Sequence, residues 1–203
     1  MKRPDQPVDA AILAAMRSSR GNTVFTASRF VAIAGPAAIR QALSRLTKAG
    51  KIRRVRQGLY DLPRRHPIIG QTAPDVTDTV RTLMKGSQAR WEFSGAYAAN
   101  LLGLSDQVPA KIVILTDGVP RSIKLGNLTL AFRRAAPRNL LGAGGQPGLV
   151  FQALRYLKGS GLGPDQVARL RKQLGAKTKS ELKRLTPHMP VWLRPIVQQI
   201  TQR

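Results

Sequence analysis

Apolar positions recur at helical spacing in the first fifty residues. Ile12, Ala15 and Met16 lie on one stripe of a helix expected over 8–18, which Ser19-Arg20-Gly21-Asn22 ends. Val24-Phe25-Thr26 reads as a short extended piece, after which Thr26 or Ser28 can cap a second short helix ending near Gly35. Pro36 opens a third helix at the position where its missing N–H costs nothing, and Gly50 closes it. In that helix Ile39, Ala42, Leu43 and Leu46 follow the i, i+3, i+4, i+7 pattern of a core-facing stripe. The opposite face carries Arg40, Gln41, Ser44, Arg45 and Lys48 with no acidic residue among them.

From Lys51 to Pro63 the pattern changes to that of a two-stranded hairpin turning at Arg56-Gln57-Gly58, where glycine supplies the positive φ such turns need. Ile52 and Val55 are three apart, so the alternation requires a bulge or a short first strand. Pro63 closes the hairpin, and Arg64-Arg65-His66-Pro67 reads as a linker.

The middle of the chain mixes periods. Asp75 can cap a helix over 76–85 with Val76, Val80, Leu83 and Met84 inward, and a short helix is expected over 95–102. The run 111–116 reads as a buried strand, and 122–125 and 128–133 flank the two-residue hairpin signal Gly126-Asn127. Residues 88–134 thus predict a small sheet with one or two helices. Gly142-Ala143-Gly144-Gly145 reads as a flexible joint leading to helices near 148–157, 165–174, 178–185 and 191–200. Thr178-Lys179-Ser180-Glu181 has the form of a capping box for the third of these. The expected fold class is α+β: an N-terminal winged helix-turn-helix over 1–66, then a mixed domain over 67–203 that ends in helices.

Charge sharpens this picture. The 203-residue chain holds 34 Lys and Arg against 10 Asp and Glu, a formal +24. Such self-repulsion calls for a polyanion, with nucleic acid first and an anionic membrane surface as the rival. The excess is +11 over residues 1–65, +4 over 66–140 and +9 over 141–203, so the ends carry it. No apolar run is long enough to span a bilayer, and residues 1–5 lead into an alanine-rich amphipathic stretch rather than a signal-peptide core. The expected location is the cytoplasm. With no cysteine and only His66 and His188, disulfides and thiolate or histidine metal sites are not expected, and no cofactor is implied. Both histidines read as loop residues, and Trp91 and Trp192 as core anchors.

A basic amphipathic helix followed by a basic glycine-containing hairpin fits double-stranded DNA. In that docking the third helix enters the major groove. Arg40 and Arg45 are then the candidates for guanine and Gln41 for adenine, with Ser44 beside them. Lys48, Lys51, Arg53, Arg54, Arg56 and Gln57 would meet phosphate or the minor groove. The opposing reading is a solvated charged face, but such faces ordinarily mix signs. A metal-dependent nuclease needs clustered carboxylates. Asp75 and Asp78 share a helix face, Glu92 and Asp117 lie elsewhere, and capping accounts for Asp75, so an enzyme is not expected. The stretch 142–148 lacks the Gly-Lys-Ser/Thr ending of a phosphate loop and reads as a linker.

Two stretches carry a resemblance. One is Ile39-Arg40-Gln41-Ala42-Leu43-Ser44-Arg45-Leu46 running into Gly50-Lys51-Ile52-Arg53-Arg54-Val55-Arg56-Gln57-Gly58-Leu59-Tyr60. The other is Ala99-Asn100-Leu101-Leu102-Gly103-Leu104-Ser105-Asp106-Gln107-Val108-Pro109-Ala110-Lys111 with Leu115-Thr116-Asp117-Gly118. Over roughly residues 8–157 the chain resembles the AbiEi antitoxins of bacterial type IV toxin–antitoxin systems. The resemblance implies a winged-helix repressor that binds inverted repeats in its own promoter. It also implies a C-terminal antitoxin domain that opposes an AbiEii-type, nucleotidyltransferase-like toxin without an obligatory complex. The alternative is a basic architectural DNA- or RNA-binding protein with no antitoxin role.

Overall fold

A computed structural model describes residues 7–19, 23–63, 65–67, 70–158 and 162–202. Residues 1–5, positions 20–22 of the expected helix stop and Arg64 of the expected linker lie outside these. The chain divides into two compact units, Met1–Ser87 and Gln88–Arg203.

In the first unit, α1 (Pro7–Ser18) and α2 (Pro36–Lys48) pack over a sheet of β1 (Val24–Thr26), β2 (Arg53–Arg56) and β3 (Leu59–Asp61), in the order β1-β3-β2 and antiparallel throughout. The expected stripe of α2 is the core: Ile39, Ala42, Leu43 and Leu46 are buried against Ile12, Leu13, Met16, Phe25, Phe30 and Ile52. Gly50 ends α2 at φ +66°, where the Lys51 N–H reaches back to the Leu46 carbonyl at 3.0 Å and the Gly50 N–H to that of Thr47 at 3.0 Å. This six-to-one, five-to-two pair satisfies carbonyls the helix would otherwise leave open. The anticipated bulge is present: Arg54 pairs with Tyr60 and Arg56 with Leu59, leaving Val55 as the extra residue.

Three expectations for this unit change. The second helix is only a 3-10 turn, Ala27–Phe30, and Thr26 gives it no side-chain cap; its hydroxyl instead lies 2.8 Å from that of Ser28. Pro36 accounts for the break before α2, because it holds Gly35 in extended backbone (ψ 159°) and bars helical continuity into α2. The expected linker holds a two-residue ladder, β4 (Arg65–His66) with β5 (Gly70–Gln71). The boundary falls after Ser87 rather than after residue 66, because α3 (Val76–Met84) is fastened to β1. The Asp78 carboxylate accepts from both the backbone N–H and the hydroxyl of Thr23 at 2.9 Å, and the Thr82 hydroxyl donates to the Val24 carbonyl at 3.2 Å. Asp75 caps α3 as expected, accepting from the Asp78 N–H at 2.7 Å.

The second unit is built on a four-stranded sheet ordered β6-β7-β9-β8: β6 (Trp91–Phe93), β7 (Lys111–Thr116), β8 (Arg121–Leu125) and β9 (Leu128–Arg134). Gly126 turns the β8–β9 hairpin at φ +60°, and β7 and β9 run parallel, which demands the crossover the hairpin supplies. Helix α4 (Gly95–Leu101) follows β6, and α5 (Gln146–Leu157), α6 (Pro164–Gln173), α7 (Ala176–Leu185) and α8 (Arg194–Thr201) complete the unit. The fold is α+β.

Two motifs here act otherwise than expected. Helix α7 starts two residues before Thr178, on Gly175, so 178–181 is no capping box; the Thr178 hydroxyl donates to the Gln146 amide oxygen at 2.8 Å, tying α7 to α5. Nor is the glycine stretch a free joint. The buried Glu92 carboxylate accepts from the Gly144 N–H at 3.2 Å and from its neighbour Phe93 at 3.0 Å. A Cβ on Gly148 would lie 2.5 Å from the Gly142 carbonyl oxygen and 2.6 Å from Glu92 Oε2. Only glycine permits that approach of loop, carboxylate and helix start. Gly148→Ala should therefore destabilise the protein by about 1–3 kcal/mol, the range for an overpacked core. Chemical denaturation of the purified variant measures this, and an unchanged midpoint would mean the loop yields freely.

Candidate nucleic-acid interface

The stripe on α2 opposite its core is the starting point. Arg40, Gln41, Ser44 and Lys48 are exposed there, and Arg54, Arg56 and Gln57 are exposed on the β2–β3 hairpin. Among the described residues Arg40, Lys48, Arg54 and Arg56 have no ion-pair partner. Gly58, at φ +76°, provides the turn that sets the hairpin tip.

The other three cations of the expected set are engaged inside the protein. Arg45 is bound two-pronged by Asp9, Nε to Oδ2 at 3.1 Å and Nη2 to Oδ1 at 2.6 Å. This hydrogen bonding raises the guanidinium pKa above its ordinary value. An edge so occupied is not open for a bidentate guanine contact, so Arg40 is the remaining arginine of α2 with that capacity. Arg53 is held by Asp61, its partner across the ladder, through Nε at 3.0 Å and through Nη2, while Nη1 donates to the Thr72 carbonyl at 2.9 Å. Its role is to join the two hairpin strands to the segment that leads into α3. Lys51 also has an interaction within the protein.

The two acids were the missing signal, and both sit on apolar patterns. Asp9, Ile12, Leu13 and Met16 are the buried positions of α1 at i, i+3, i+4 and i+7, and Leu59 and Asp61 share the buried face of β3. A carboxylate on a core stripe must have a partner, and in a basic segment that partner is an arginine.

The acids weighed for metal chemistry are likewise committed to the fold. Asp75 caps α3, Asp78 holds Thr23, Glu92 holds the glycine loop, and Asp117 accepts from the Arg90 side chain at 2.8 Å and backbone at 2.9 Å. The Arg90 hydrogen bond holds the Asp117 carboxyl below the ordinary carboxylate range. Among the described residues no group of three or more His, Cys, Asp or Glu is placed to hold a metal ion. No helix among them is long and apolar enough to cross a membrane.

The chain belongs to the DUF6088 family, a family of unknown function, which it matches over residues 11–185. No curated protein matches it. Among solved structures it is similar to the RV2827C protein from Mycobacterium tuberculosis, at 18% identity and a TM-score of 0.45, over 98% of this chain and 79% of that one.

The geometry divides the arginines into two groups that a single measurement separates. Arg53→Ala leaves the buried Asp61 carboxylate without its charged donors and should lower stability by about 1–3 kcal/mol. Arg40→Ala, Arg54→Ala and Arg56→Ala should each stay within about 0.5 kcal/mol of the parent, as exposed substitutions do. Equal losses across all four in denaturant titrations would contradict the division.

Proposed function

We propose that the first unit is a winged helix-turn-helix that binds double-stranded DNA, with α2 in the major groove and the β2–β3 hairpin against the phosphates. The observation that carries the reading is the segregation of charge. The acids of α1 and β3 are buried and paired, while Arg40, Lys48, Arg54 and Arg56 remain exposed beside Gln41, Ser44 and Gln57. The succession of helix, strand, turn, helix and hairpin, with strand order β1-β3-β2, agrees with such a domain. Arg40 reads guanine and Gln41 adenine; Arg54 and Arg56 hold phosphates.

The biological role we propose is that of a cytoplasmic, non-enzymatic repressor that binds inverted repeats in its own promoter. In this role it is the antitoxin of a type IV pair, opposing a nucleotidyltransferase-like toxin through the second unit. This part rests on the resemblance at 39–60 and 99–118. The second stretch forms the end of α4 and the loop into β7, where Gly103 turns at φ +65° and the Asn100 amide donates to the Ser105 carbonyl at 3.1 Å.

Binding to the DNA upstream of the protein's own gene, followed against salt, tests the first reading. Arg54→Ala with Arg56→Ala should reduce the log–log salt slope by about 0.9 per lost phosphate contact. Arg40→Ala or Gln41→Ala should relax preference at a definite base pair by about 1–3 kcal/mol. Absence of duplex binding at low salt would end the reading. The antitoxin role is tested by growth rescue against a co-expressed nucleotidyltransferase-like toxin encoded beside this gene; failure of the full chain to rescue would leave a DNA-binding protein without that role.

A further inference from the structure

A second cluster of cations lies in the first unit, away from the set considered above. Arg29 stands on the 3-10 turn Ala27–Phe30, immediately before α2 in the chain. Arg81 is in the last turn of α3 and Lys85 is its C-cap, four positions on and so on the same face. All three are exposed, and together they line a groove of about 220 Å³ whose floor is β1 and whose wall includes Thr82. Among the described residues no acidic side chain lines that groove. Among the described residues none of the three cations has an ion-pair partner.

Cations at a helix C-terminus complement its dipole, which accounts for Arg81 and Lys85 but not for Arg29 on a separate element. Arg81 also borders a neighbouring cavity lined by Asp61, Asp75 and Asp78. Asp61 is paired with Arg53, while Asp75 and Asp78 accept from the Asp78 N–H and from Thr23, so Arg81 lies between those carboxylates and the groove. The groove itself is a concave site lined by three cations from two elements, of a size to admit a phosphate group.

In helix-turn-helix docking the element before the recognition helix crosses the DNA backbone. Arg29 is on that element. We infer that Arg29, Arg81 and Lys85 hold a backbone phosphate of the duplex, outside the base-reading contacts of α2. The inference rests on the DNA-binding reading above and extends the interface from the hairpin to α3.

The test uses the full chain and a long mixed-sequence duplex DNA, with affinity followed by fluorescence anisotropy across a salt series. Three proteins are compared: the parent, the hairpin variant R54Q/R56Q and the groove variant R29Q/R81Q/K85Q. The groove variant should lose about 0.9 units of log–log slope, the value for one phosphate contact. R29K/R81K keeps the charges and should keep the slope. The three side chains are exposed, so the groove variant should match the parent's thermal midpoint; if it does not, the single variants R29Q and K85Q give the same comparison, each expected to lose a part of that ~0.9. A reduced slope for the hairpin variant with an unchanged one for the groove variant and its singles overturns this inference and leaves the DNA-binding reading standing. A parent protein without affinity for any duplex at low salt overturns both.

Discussion

The first unit depends on a carboxylate buried between two helices. Asp9 is only 5% exposed, on the same stripe of α1 as Ile12, Leu13 and Met16, and an anion there is tolerable only if fully hydrogen-bonded. Arg45 supplies both bonds from α2. A two-pronged pair fixes direction as well as distance, so it sets the roll of α2 about its own axis. With Leu43 and Leu46 facing inward and Arg45 turned toward α1, the positions left for solvent are those of Arg40, Gln41, Ser44 and Lys48. The apolar stripe says which side of α2 is buried; the ion pair says how that side is aligned.

Much of this was legible in the sequence because local rules governed it. The α2 stripe, its proline start and its glycine end, the Asp75 cap, the bulged hairpin and the Gly126-Asn127 turn each follow from backbone chemistry within a few residues. What escaped reading depended on contacts distant in sequence. The Arg45–Asp9 and Arg53–Thr72 bonds span 36 and 19 positions, and from the sequence alone these arginines are indistinguishable from Arg40 and Arg54. The domain boundary was misplaced for the same reason: Pro63 and Pro67 look like a linker, whereas the attachment of α3 runs through Thr23, 55 residues before its partner Asp78. The pattern of Thr178-Lys179-Ser180-Glu181 misled because Gly175 had already started the helix, freeing Thr178 to bond elsewhere.

The second unit shows how a composition signal can invert. Four glycines among seven residues suggest mobility, yet Gly142 and Gly148 are closely packed against one another and against Glu92. Glycine serves there because a side chain would not fit, and the polypeptide is ordered by a single buried carboxylate that draws the loop toward β6. The same residue, judged as a possible metal ligand, is spent on architecture.

The bulge at Val55 couples the length of the hairpin to the exposure of its charge. In an unbroken ladder the residue opposite Leu59 would share the face of Arg53, Leu59 and Asp61, the last two buried. The extra residue lets Arg56 occupy that place in the register while its side chain stays in solvent. Shortening the strand by that one position would turn a surface arginine toward an apolar interior. Among related chains, therefore, a gap or insertion in this hairpin is not a neutral change of loop length. It should be accompanied by a change in which positions carry arginine, so that hairpin length and charge pattern vary together.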